Sequence, residues 1–213
     1  MKLLSFWFDP ISPYAYLAFE RLPQVLEGLS YCVDYRPVLF AGLLKHFGHK
    51  GPAEIAPKRA WTYRDVAWRA HVQGTPLDMP VQHPFNPLPL LRLALASAPA
   101  GGTPNRRVVE ALFHHVWRGG LDPSCPQRLA ALRQSLAPER DPDGEEIKAE
   151  LRAAGAQALA QEVFGVPTVV WEGRAFWGDD ALPMLRAALL GDPWFEGPAW
   201  AQAGQPRPGI ERA

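Results

Sequence analysis

The chain has 213 residues, 47% of them apolar, with 22 basic side chains set against 22 acidic ones. That length can bury one large core, or one core carrying an insertion. The charge balance excludes the basic face that a nucleic-acid or polyanion partner needs, and no run is long and apolar enough to span a membrane.

Cys32 and Cys125 lie far apart with no pairing pattern. That points to a reducing compartment, while one buried disulfide stays open as an alternative. One Lys precedes the first apolar run and no cleavage-site pattern follows it, so the expected location is the cytoplasm.

Lys2 to Phe8 is apolar and aromatic and reads as a buried strand. Tyr14, Leu17, Ala18, Leu22, Val25 and Leu26 then recur at helical spacing. Ser12 is a good N-cap for that helix and Pro13 fits its first position. Pro23 predicts a kink or restart, and Gly28 a stop. Tyr31 to Leu39 alternates as a second strand, with Pro37 tolerated near its end. Strand, helix, strand makes a βαβ unit.

From Phe40 the pattern is helical only, broken by Pro and Gly. A short turn is expected over Leu43 to Phe47, then a helix from Pro57 stopped by Gly74. Thr75 to Pro89 reads as irregular. Further helices are expected over Leu90–Ala98, Asn105–Trp117, Pro126–Leu136 and Glu145–Phe164, the last split near Gly155. Strands resume at Val166–Trp171, turn at Glu172-Gly173-Arg174, and pair back through Ala175–Trp177. Asp179 is expected to cap a final helix reaching Leu190. The expected division is one α/β domain from 1–39 and 162–191, a helical insertion over 40–161, and an irregular tail over 192–213.

The chemistry centres on Ser12. A hydroxyl at the positive end of a helix stands beside a natural anion site, although a Ser-Pro pair read alone is only a cap. Cysteines at positions 12 and 15 would make a redox dithiol; Ser12 and Ala15 exclude that chemistry here. The stretch FDPISPYAYLAFERL resembles the 2-hydroxychromene-2-carboxylate isomerases and the kappa-class glutathione transferases, relatives of DsbA-type oxidoreductases. Arg36-Pro37-Val38-Leu39 and Phe85-Asn86-Pro87, with Arg92 behind them, extend the resemblance over most of the chain.

The resemblance implies a thioredoxin-like α/β fold with a large all-helical insertion between its βαβ and ββα halves. It makes Ser12 the catalytic residue, facing the thiol of bound glutathione. It also implies that Pro167 is cis and packs opposite the helix start, leaving Val166 to pair with glutathione as an added strand would. Asp180 matches an aspartate that holds the γ-glutamyl end, with Asp179 in the neighbouring polar position. Ala181 stands where relatives commonly have arginine. Lys58 matches a lysine that reaches the ligand, although read alone it is an exposed helix charge. His49 stands where relatives often have asparagine.

The function so implied is a glutathione-dependent isomerase of aromatic-compound breakdown, whose thiolate adds reversibly to a conjugated organic acid. A kappa-type transferase and a non-catalytic thiol- or peptide-binding module are the alternatives. A serine hydrolase lacks its G-x-S-x-G elbow, and all six histidines fall in the insertion. His114 and His115 point about 100° apart on a helix and do not converge on a metal. The expected partners are glutathione, a small organic acid and a second copy of the chain. The dimer is expected because insertion and tail carry more apolar residues than one small domain covers.

Overall fold

The computed structural model of the chain describes residues 1–207 and 209. Its centre is β1 (Lys2–Phe8), which pairs in parallel with β2 (Tyr31–Pro37), Lys2 opposite Tyr31 and Phe8 opposite Pro37. On its other side β1 runs antiparallel to β3 (Thr168–Trp171), with Trp7 opposite Thr168. β4 (Arg174–Trp177) closes a four-stranded sheet of order β2-β1-β3-β4.

Successive side chains of a strand point to opposite faces, and β1 is apolar on both because both are covered. Leu4, Phe6 and Phe8 enter the main core with Phe19, Leu112 and Phe113. Trp7 faces the other way, among Val38, Leu43, Ala158 and Val163.

Nine α-helices complete the described chain: α1 (Pro13–Val25), α2 (Phe40–His46), α3 (Ala56–Gln73), α4 (Leu88–Ala96), α5 (Arg106–Trp117), α6 (Pro126–Leu136), α7 (Glu145–Ala160), α8 (Leu182–Leu189) and α9 (Pro198–Ala203). Between β2 and β3, Leu91, Leu95 and Ala96 of α4 pack on Ile147 and Leu151 of α7 in a small apolar cluster of their own, and other helices there join the main core. Phe113 of α5 packs on Phe8 and Phe19 with ring centroids 5.5 and 5.2 Å apart, tying that segment to the sheet.

Several local expectations are corrected. Pro23 does not restart α1, which runs through to Val25. The carbonyl of Phe19, which Pro23 deprives of its helical donor, accepts from Arg106 Nη1 at 3.3 Å. The Arg106 guanidinium also lies 4.0 Å above the Phe19 ring. α7 passes Gly155 unbroken but ends at Ala160, short of Phe164, and the turn over Leu43–Phe47 is a helix beginning at Phe40. β3 starts at Thr168, past Pro167, which has no N–H for the ladder.

The tail is not irregular throughout. Trp200 of α9 stacks on Phe176 of β4, and Phe195, in a single 3₁₀ turn (Pro193–Phe195), packs against the same ring at a tilt. The last part of that tail, residues 208 and 210–213, lies outside the described residues. Both cysteines are free. No helix among the described residues is long and apolar enough to cross a membrane.

Candidate functional site

β1 ends at Phe8 and α1 begins at Pro13, so the intervening residues must turn the chain back over the sheet. Ser12 keeps extended dihedrals, and its Oγ accepts the Ala15 N–H at 3.2 Å. That is the cap expected of serine here. The same oxygen donates to the Val166 carbonyl at 3.4 Å, across the start of β3. The Val166–Pro167 bond is cis. Among the described residues the Val166 N–H donates to no backbone carbonyl. Ser12 is only 7% exposed.

Asp9 holds this turn in place, a role the sequence reading missed. Its Oδ1 accepts the Ile11 N–H at 3.0 Å and its Oδ2 the Phe40 N–H at 2.9 Å. The turn before Ser12 is thereby tied to the start of α2. Burial pushes the Asp9 carboxyl up to about 7, against the downward pull of the two N–H bonds. An aspartate two residues ahead of the N–H it caps is a turn signature, and that signal was present in the sequence.

These groups floor a cleft of about 1230 Å³. Phe40, Phe47, Trp61, Phe85, Phe164 and Trp177 wall it, and Lys50 and Lys58 contribute cations, with His49 beside them. Ser12, Val166, His49 and Lys58 therefore meet around one cavity, although they come from four separated stretches of chain. His49 and Lys58 are exposed.

Pro167, Asp179 and Asp180 do not line that cavity. Asp179 does not cap the final helix: residues 179–181 form a 3₁₀ turn, and α8 begins at Leu182. Its carboxylate is fully enclosed and turned inward. Oδ2 takes Gln73 Nε2 at 3.2 Å and lies 3.5 and 3.6 Å from the guanidinium groups of Arg69 and Arg21. Asp180 stays exposed beside it.

Arg69 also binds Asp65 at 2.7 Å, which in turn accepts from the Tyr14 hydroxyl at 2.8 Å. Burial and Asp65 together push Tyr14 up to about 12, so it remains a phenol. Arg21, Arg69 and Tyr14 escaped the sequence reading because nothing local marks partners so far apart. Arg36, part of the family-like stretch, packs over Trp7 and binds Gln157, away from the cleft.

No base stands on Ser12. Its Oγ contacts Ala15 N and Val166 O, while both ring nitrogens of His83, in the cleft wall, are engaged by Ile11 O and Tyr63 Oη. A serine nucleophile is thus left without an activator. His114 and His115 bind Glu20 and the Pro123 carbonyl.

A four-stranded sheet of this order, with a helix start facing a cis-proline strand, is the thioredoxin arrangement, here with serine where a redox cysteine would stand. The chain matches the DSBA-like thioredoxin domain over residues 3–190 and belongs to that family. It is 28% identical over 196 residues to a 2-hydroxychromene-2-carboxylate isomerase of Sphingobium xenophagum, covering 89% of this chain and 98% of the relative. It is 26% identical over 215 residues to glutathione S-transferase kappa 2 of Caenorhabditis elegans, covering 92% and 95% respectively. A solved 2-hydroxychromene-2-carboxylate isomerase structure superposes with a TM-score of 0.77 at 22% identity, covering 95% of this chain and all of the other.

Proposed function

We propose that the protein is a glutathione-dependent isomerase acting on a small conjugated organic acid. The observation that carries this reading is the Ser12 hydroxyl at the N-terminus of α1, set against the Val166 backbone inside an aromatic cleft. The residues fit glutathione. Val166 offers an N–H without a backbone acceptor, a ready edge for a short extended peptide. Lys50 and Lys58 offer cations, and His49 a polar ring, to its carboxylates or to those of the acid. Asp180, exposed and outside the cleft lining, would meet the ammonium of the γ-glutamyl end where that end extends beyond the cleft, and Asp179 fixes Arg21 and Arg69 behind it.

When bound, glutathione supplies a sulfur nucleophile that adds to the conjugated double bond and later leaves it. Ser12 turns its O–H from Val166 O to the sulfur, and the positive end of α1 favours the thiolate there. The aromatic walls exclude water and hold a flat acid. The helical segment 40–161 serves as the insertion that supplies most of those walls.

Titration calorimetry with glutathione, followed by turnover of 2-hydroxychromene-2-carboxylate watched by absorbance, tests the reading. Binding with glutathione unconsumed is expected. Consumption of glutathione with an electrophile instead identifies a kappa-type transferase. Binding without turnover of either leaves a thiol-binding module, and no binding defeats all three.

A homodimer and a cytoplasmic location complete the proposal. Trp68 and Val72, each 62% exposed, lie one turn apart on α3 and give a second copy an apolar ridge. Trp68→Glu should convert the dimer to monomer in light scattering at micromolar concentration; a monomeric wild type counts against it.

A further inference from the structure

We propose that Tyr63 and His83 form a proton relay for the hydroxyl group of a bound hydroxy acid; this deepens the isomerase reading and rests on it. Both residues line the cleft that holds Ser12, on α3 and on the irregular segment after it. His83 Nε2 lies 2.8 Å from the Ile11 carbonyl, which only accepts, so Nε2 carries a hydrogen. His83 Nδ1 lies 2.8 Å from Tyr63 Oη, and that oxygen also lies 3.0 Å from His83's own carbonyl.

The count of hydrogens is the key observation. With neutral imidazole, the one Tyr63 hydrogen faces two acceptors, Nδ1 and the His83 carbonyl, and one goes without. One more proton completes the set. Nδ1–H then donates to Tyr63 Oη, Tyr63 O–H donates to the His83 carbonyl, and Nε2–H stays on Ile11 O. The pair is wired to take a proton that burial against Trp117 and Phe85 otherwise discourages.

The step balances. A substrate O–H breaks, its electron pair stays on the substrate oxygen, and the proton passes to Tyr63 Oη. The hydrogen of Tyr63 moves to His83 Nδ1. The reverse transfer restores phenol and imidazole as the product hydroxyl forms, and no other reactant is needed. Burial pushes the Tyr63 phenol up against a weaker downward pull from Arg59, one turn before it on α3, so the relay passes its protons through a neutral tyrosine. Lys58, His49, Lys50, Glu54, Asp9 and Tyr14 are the other charged or titratable groups around the same cavity, and none of them meets the two ring nitrogens.

The test uses Tyr63→Phe, and His83→Gln, whose amide can still donate to Ile11 O without offering a base. The first measurement needs no glutathione. Titration of 2-hydroxycinnamate bound to the wild type, followed by phenolate absorbance, should show ionisation at least tenfold easier than in either variant. Nitrogen NMR of labelled histidine should show His83 as the Nε2–H tautomer. In turnover, both variants should lose roughly a hundredfold in kcat and the ascending limb of its pH profile, with glutathione affinity unchanged. Phenolate formation unaltered in both variants, or an Nδ1–H tautomer, would overturn the relay. Failure of the wild type to bind glutathione would instead sink the isomerase reading, and the phenol titration still decides the relay.

Discussion

Ser12→Ala should slow turnover roughly tenfold to a hundredfold while glutathione still binds. The substitution removes one charge-assisted hydrogen bond to sulfur, worth about 1.5–3 kcal/mol. The backbone of Val166 and the cations around the cleft remain. The ultraviolet absorbance of the thiolate should report a bound thiol whose pKa rises by about one to two units, since each unit corresponds to about 1.4 kcal/mol. A simple cap behaves differently. Losing the bond from Ala15 N to Ser12 Oγ costs about 1 kcal/mol of stability and leaves the thiol pKa where it was. A serine nucleophile behaves differently again, because alanine abolishes nearly all activity and an acylating reagent labels the wild type. An unchanged thiol pKa with glutathione demonstrably bound would remove Ser12 from the chemistry.

The second large effect is a dependence of stability on pH that belongs to Asp9. Its carboxyl rises from an ordinary 3.8 to about 7 in the fold, chiefly because burial penalises the charged form. A carboxyl raised on folding is protonated more readily in the native state than in the unfolded chain. Its contribution is therefore fully present below pH 3.8 and is lost as pH rises through about 7. The loss across that window is at most about 4 kcal/mol.

Urea unfolding of wild type and Asp9→Asn, measured in parallel from pH 4 to pH 8, isolates this term. Every other carboxyl group is common to both proteins and cancels in the difference. Wild type should lose ground to the variant as pH rises. A difference that stays flat across the window would show that the N–H bonds from Ile11 and Phe40 hold Asp9 ionised throughout.

The order of elements was legible because each carries a local signature. β1 announces itself through unbroken apolar residues, α1 through Ser12-Pro13 and helical spacing, and the β3–β4 turn through Glu172-Gly173. The restart expected at Pro23 failed for a tertiary reason, since Arg106 satisfies the carbonyl that the proline orphans and the helix continues. The tail misled because α9 is set by stacking on Phe176, a residue more than twenty positions earlier.

Composition and motif order determined that one α/β core with helices between its halves would form, and that dithiol chemistry at position 12 was impossible. Ser12 at a helix start could be read directly, because capping is an interaction between neighbours in sequence. What only the tertiary structure decided is which charges and rings share the cleft. Asp179 turned inward to Arg21 and Arg69, and His83 reached Ile11 and Tyr63, because desolvated groups take whatever partners the packed chain brings near. Those partners lie up to 158 positions apart, and no local pattern encodes a hydrogen bond over such a span.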